Sequence, residues 1–150
     1  MGRFTYRCAL RWSDMDAYGH VNNARFLTLY EEARVALMFT AARDAGLTSF
    51  EDGIVISRHE VDYLRPVDYG DGVRIDLWIS EIRPSRFVVD YELFASASSS
   101  GIVSTLAAPT DGQGELASRA RSVCVPFDLA AGRPRRVSAE EREFLSPWLG

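Results

Sequence analysis

The reactive side chains of this sequence crowd into one short stretch. Trp12 to Asn23 reads W-S-D-M-D-A-Y-G-H-V-N-N, so Asp14, Asp16, His20, Asn22 and Asn23 stand just ahead of a long apolar segment. If that segment is helical, its first turn leaves backbone N–H groups unpaired, and the helix dipole adds about half a positive charge there. Asn22 suits the N-cap, because its side-chain oxygen can accept one of those donors. The N–H of Asn23 then faces outward, where it can stabilise a developing oxyanion. A carboxylate at Asp16, with His20 beside it, would face an electrophile held at that amide. A base, an oxyanion donor and a nearby hydrogen-bonding group are what acyl transfer to water needs.

Two plainer readings compete. D-x-D-x-x-G can open a calcium loop, which wants Asp or Asn at its fifth position and Glu at its twelfth. Tyr18 and Arg25 stand there, which excludes calcium. The other reading is a capped polar turn without chemistry, and the residues alone leave it open.

The elements that must position this stretch follow from periodicity. Phe4, Tyr6, Cys8, Leu10 and Trp12 alternate with Thr5, Arg7 and Arg11, which predicts a half-buried strand over 4–12. Ala24 to Arg43 is the longest apolar segment and is expected to be a helix of about 30 Å, largely wrapped by protein. Arg25, Glu31, Glu32 and Arg34 argue against its crossing a membrane. Glu31, Glu32 and Arg34 could be buried only if paired, and spacing suggests a pairing across a subunit boundary. Strands are then expected at Ile54–Leu64, Val73–Ile82, Phe87–Ala95 and Leu116–Phe127, with a hairpin turn at Arg83-Pro84-Ser85. The small face of the last strand, Ser118, Ala120, Ser122 and Cys124, implies a helix lying close. Ser96 to Gly114 reads as a long excursion. Ser138-Ala139-Glu140-Glu141 is a capping-box pattern for a short helix at about 138–146. One helix among gathered strands predicts an α+β domain spanning 1–150, an antiparallel five-stranded sheet curled round one long central helix.

Composition narrows the chemistry. The 150 residues carry a net charge of −4, which gives no basic footprint for nucleic acid. All seventeen basic residues are arginine, so Schiff-base lysines, a P-loop lysine and Ser-Lys dyads are excluded. Cys8 and Cys124 form no C-x-x-C pair and are expected as small buried thiols. Two histidines make a histidine-rich zinc site unexpected, and no metal or organic cofactor is called for. The opening Met1-Gly2-Arg3-Phe4-Thr5-Tyr6 has no apolar signal region, so a cytoplasmic location is expected.

The segment W-S-D-M-D-A-Y-G-H-V-N-N-A-R-F, followed by Y-E-E-A-R, resembles the opening motif of the hotdog-fold acyl thioesterases. The nearest branch is that of 4-hydroxybenzoyl-CoA thioesterase and the YbgC-like proteins. The S-D-x-D-x-x-x-H-V-N-N spelling is also similar to acyl-ACP thioesterases. V-D-Y-L-R-P-V-D-Y-G-D, from Val61 to Asp71, resembles the second strand and following turn of the same superfamily. The resemblance implies a hotdog fold and hydrolysis of an acyl-CoA or acyl-ACP thioester, coenzyme A entering as part of the substrate. It implies that Asp16 is the general base or nucleophile, that Asn23 offers its backbone N–H to the thioester carbonyl, and that His20 orients water or substrate. It also implies a homodimer or homotetramer with the site between protomers. The chain departs from the plant enzymes at Tyr18, where they have Asn, and in lacking a cysteine near Pro66. An Asp16-centred mechanism is therefore expected.

Beside that set, Asn22, Tyr63 and Glu60 are candidates for lining or bracing the site. Arg83 and Arg86 flank the expected hairpin turn, near which the resemblance implies that coenzyme A phosphates rest, and guanidinium groups suit phosphate. The bland alternatives are an exposed strand glutamate, a core tyrosine and solvated surface arginines. His59, alternating with Val61 and Tyr63, is expected to be packed. Two rival functions remain, a hotdog enoyl-CoA hydratase or dehydratase and a non-catalytic acyl-CoA-binding protein. The hydratase spelling D-x-N-x-x-H is absent here.

Overall fold

A computed structural model describes residues 2–69, 72–95 and 114–150. Five antiparallel strands, β1 (Phe4–Cys8), β2 (Ile54–Tyr63), β3 (Val73–Ile82), β4 (Phe87–Ala95) and β5 (Glu115–Asp128), lie in the order β1-β3-β4-β5-β2. A two-residue strand, β6 (Arg133–Pro134), extends the sheet at β5 and was not foreseen from sequence. The expected excursion at Ser96–Gly114 falls almost wholly outside the described residues.

The central helix begins as α1 (Asn23–Val35), continues through a π turn (Ala36–Ala41) and ends as α2 (Ala42–Asp44). In the π turn the Ala42 N–H reaches the Leu37 carbonyl, five residues back. Phe26, Leu29, Tyr30, Ala33 and Leu37 recur at helical spacing and are buried against Ile75, Leu77, Ile79, Val89 and Leu93. This is the hotdog fold, a curled sheet partly wrapped around one helix. Register shifts at Ile56/Arg58, Ile79/Glu81 and Leu93/Phe94 supply the bulges that bend and twist such a sheet. The small face of β5 accepts the helix as expected: the Tyr30 hydroxyl donates to Ser118 Oγ at 2.6 Å.

Three expectations are corrected. β1 ends at Cys8 and does not reach Trp12, whose side chain is 73% exposed. The Asp14 carboxylate accepts the Arg11 N–H at 2.8 Å, and this local turn over Trp12–Asp14 displaces the strand. His59 is exposed, with only its Nδ1 tied to Ser122 Oγ at 2.8 Å, because β2 is a sheet edge. The helix is only partly wrapped by protein, since Val35 and Thr40 are exposed.

The C-terminal segment closes the end of the barrel-like sheet remote from Asn23. Helix α3 (Ala139–Leu145) starts with the capping box expected at Ser138 and Glu141. The fully buried Glu141 accepts hydrogen bonds from Arg135, Ser49 and the Ser138 N–H. Burial alone would push its carboxyl up, but these donors outweigh burial and hold it below the usual carboxylate range. A depressed native value stabilises the fold above the unfolded carboxylate pKa and is lost as pH falls through the native value. Glu141→Gln should therefore cost about 3 kcal/mol near neutral pH. It should also flatten the acid limb of a stability curve measured by urea unfolding. An unchanged curve would show that the cluster contributes nothing.

Candidate active site

The loop ahead of α1 is held by its own backbone. Two short bridges, Met15 with Val21 and His20 with Asp68, pin it to itself and to the segment after β2. Asp14 is 3% exposed and structural: its carbonyl accepts the Asn22 N–H at 2.8 Å while its carboxylate holds Arg11. The second aspartate faces the other way. Asp16 Oδ1 accepts the N–H groups of Tyr18 (2.8 Å) and His20 (3.2 Å), which orients the carboxylate. The turn closes with the Gly19 N–H on the Asp16 carbonyl, and Gly19 takes φ +77, a conformation other residues resist. Oδ2 of Asp16 has no hydrogen bond among the described residues.

At the helix start, Asn22 is the N-cap and accepts the Ala24 N–H on Oδ1 at 2.9 Å. The Asn23 N–H has no partner among the described residues. Tyr63, at the end of β2, donates from its hydroxyl to the Asn23 carbonyl at 2.8 Å, and its ring meets Phe26 edge-on at 5.1 Å. His20 Nε2 lies 3.4 Å from Asp68 Oδ1. Asp16, His20, Asn23, Phe26, Tyr63, Leu64 and Pro66 are among the residues lining one open cavity of about 400 Å³.

The structure thus brings Asp16, His20, Asn23 and Tyr63 together, with Asn22 capping behind them. Tyr63 is half-exposed and lines this cavity instead of the core. Glu60, Arg83 and Arg86 lie elsewhere. Glu60 pairs with Arg58 at 2.6 Å on the outer face of the sheet, in a depression it shares with Arg86. Arg83 and Arg86 both bind Glu81 at 3.3 Å. Their hydrogen bonds and charge hold that carboxyl below the usual range. Register places Tyr63 level with Ser118 and Leu93, at the end of the strands opposite the hairpin. The ten residues of β3 separate the two ends by about 30 Å.

Asp68, the partner of His20, escaped the sequence reading, although the V-D-Y-L-R-P-V-D run that contains it did not. Both thiols stay protonated: burial pushes Cys124 up to about 12 and the half-buried Cys8 up to about 11. Among the described residues no group of three or more His, Cys, Asp or Glu could hold a metal, and no helix is long and apolar enough to cross a membrane.

A curated relative, the 1,4-dihydroxy-2-naphthoyl-CoA hydrolase of Synechococcus elongatus, is 36% identical over 98 residues, covering 62% of this chain and 71% of the relative. Among solved structures, a predicted thioesterase from Bacillus stearothermophilus superposes with a TM-score of 0.76 at 25% identity, covering 99% of this chain and 98% of the other. A thioesterase from Thermus thermophilus, complexed with coenzyme A and Zn, gives 0.73 at 28% identity, covering 96% and 92%. The family model described as thioesterase-like superfamily matches residues 10–149. A chain that matches over nearly its whole length, and folds as these proteins fold, belongs to the thioesterase-like superfamily.

Proposed function

We propose that the protein hydrolyses an acyl-CoA thioester to a free acid and a thiol. The observation that carries this reading is a single cavity in which an oriented carboxylate, Asp16, shares walls with the unpaired N–H at the start of α1. Similarity to coenzyme A thioester hydrolases, and to a structure holding coenzyme A, supports the choice of thiol.

The substrate carbonyl oxygen docks on the Asn23 N–H, where the helix start favours the charge that develops on it. Oδ2 of Asp16 either removes a proton from attacking water or attacks the carbonyl carbon itself. In the first route the carbon–sulfur bond breaks as the tetrahedral intermediate collapses, and the thiolate recovers the proton. In the second a mixed anhydride forms with loss of thiolate, and water then clears it. His20, steadied by Asp68, orients water or the substrate carbonyl. Asn22 fixes the helix start, and Tyr63 anchors the Asn23 carbonyl behind the amide that binds the oxyanion.

Asp16→Asn tests this directly. The asparagine Oδ1 still accepts from Tyr18 and His20, so the loop keeps its shape, while the base or nucleophile is gone. Thiol release from acyl-CoA should fall at least about 100-fold with an unchanged melting temperature. Equal turnover in the variant and the parent would refute the assignment.

The same reading includes a homodimer or homotetramer. β2 is an edge strand with Val55, His59 and Tyr63 exposed along it, and an unpaired edge invites a second copy. Arg83 and Arg86 are too remote from Asp16 within one chain, so their role on coenzyme A phosphates, like that of Glu60 as a bracing group, operates across a subunit boundary. Light scattering should give a dimer or larger; a monomer at micromolar concentration would contradict the shared site.

A further inference from the structure

Arg34 is a cation inside the protein, 7% exposed, in the last turn of α1. Its Nη1 donates to the Tyr91 hydroxyl at 3.1 Å. The carboxylate near it, Glu31, is 3.8 Å away and its side chain is 67% exposed, so the attraction is largely screened by water. Burial pushes the Tyr91 hydroxyl and the Cys124 thiol each up to about 12, so neither supplies a negative charge. A guanidinium carries five donors, and burying its charge is costly unless an anion meets it.

The side chain opens onto a cavity of about 220 Å³ between the helix and β2. Its other walls are Glu31, whose side chain is mostly exposed, and the apolar Val35, Met38, Phe39, Ile54 and Ile56. The π turn begins two residues beyond Arg34 and widens the helix there. A buried cation in a largely apolar cavity, whose one lining carboxylate is turned mostly to water, is the pattern of a site for an organic anion. Arg34 also lies on the same stripe of the helix as Asn23, since eleven residues make three turns, about 16 Å along the axis.

We propose that this cavity recognises the anionic far end of the acyl group, so that the preferred thioesters carry a carboxylate remote from the carbonyl that is cleaved. The inference rests on the hydrolase reading above and adds the substrate class to it. The span from Asn23 to Arg34 suits a long acyl chain ending in a carboxylate.

Two experiments separate this claim from the hydrolase reading. The first is binding, followed by protein NMR with benzoate and the neutral benzamide as probes. Benzoate should bind at least about tenfold more tightly than benzamide, as a charge-assisted pair predicts. The preference should vanish in Arg34→Met, which replaces the cation with an apolar side chain of similar reach, and survive in part in Arg34→Lys. The second is hydrolysis of dodecanedioyl-CoA against lauroyl-CoA. The parent should favour the dicarboxylic thioester at least about tenfold in kcat/KM, and Arg34→Met should bring the ratio near unity.

Equal binding of the two probes, or a benzoate preference that persists in Arg34→Met, overturns the site. So does exclusion of benzoate together with a changed oligomeric state in Arg34→Met, because a carboxylate from a second copy would then occupy it. Lauroyl-CoA cleaved in preference to dodecanedioyl-CoA overturns the assignment to the acyl group. Benzoate held by Arg34 with neither thioester cleaved supports the site and refutes the hydrolase reading instead. Should neither variant fold, the two comparisons in the parent protein still decide.

Discussion

A helix buried inside a curled sheet has a start that cannot be fully satisfied, and the candidate site depends on that constraint. Four N–H groups at a helix start lack partners within the helix. Here Asn22 caps one of them, accepting the Ala24 N–H on its side chain, and its carbonyl accepts the Arg25 N–H. The Asn23 amide has no partner among the described residues, and Asn23 lines the cavity. The sheet fixes where that cavity lies, because Tyr63 at the end of β2 holds the Asn23 carbonyl and packs on Phe26. The loop fixes what faces it, because two backbone N–H groups orient the Asp16 carboxylate.

The division of labour between the two aspartates shows how closely related residues separate by environment. Asp14 is buried, and both its carboxylate and its carbonyl are spent on closing the loop. Asp16, two residues on, spends one oxygen on the loop and lines the cavity. A similar contrast holds among the arginines. Arg121 is paired bidentately with Asp90 on the outer face, whereas Arg34 is buried with a neutral hydroxyl and a mostly exposed carboxylate 3.8 Å away. A buried cation so paired has donors left for a second anion.

Much of this was legible in the sequence, for local reasons. The strands over 73–82 and 87–95 follow from strict alternation, because each has one face on the core. The helix start at Asn22 and the capping box at Ser138 are written in residues that act on their immediate neighbours. What could not be read depends on chain segments far apart. Trp12 continues the alternation of β1, yet the Asp14 turn takes it to the surface. His59 fits an inward pattern, but only the strand order shows that β2 is an edge. Glu60 looked like a neighbour of the site by its place on β2, and Arg83 and Arg86 by family likeness, whereas the fold puts them on the outer face or at the far hairpin. Asp68 and Tyr91 find His20 and Arg34 only through the fold.

The central claim is that a thioester carbonyl seats on the Asn23 amide opposite residue 16. A crystal structure of the Asp16→Asn variant with intact acyl-CoA measures this most directly. The account predicts the carbonyl oxygen about 3 Å from the Asn23 nitrogen, with the substituted side chain beside the carbonyl carbon. A thioester carbonyl bound away from the start of α1, or an Asn23 N–H already taken by another group, would contradict it.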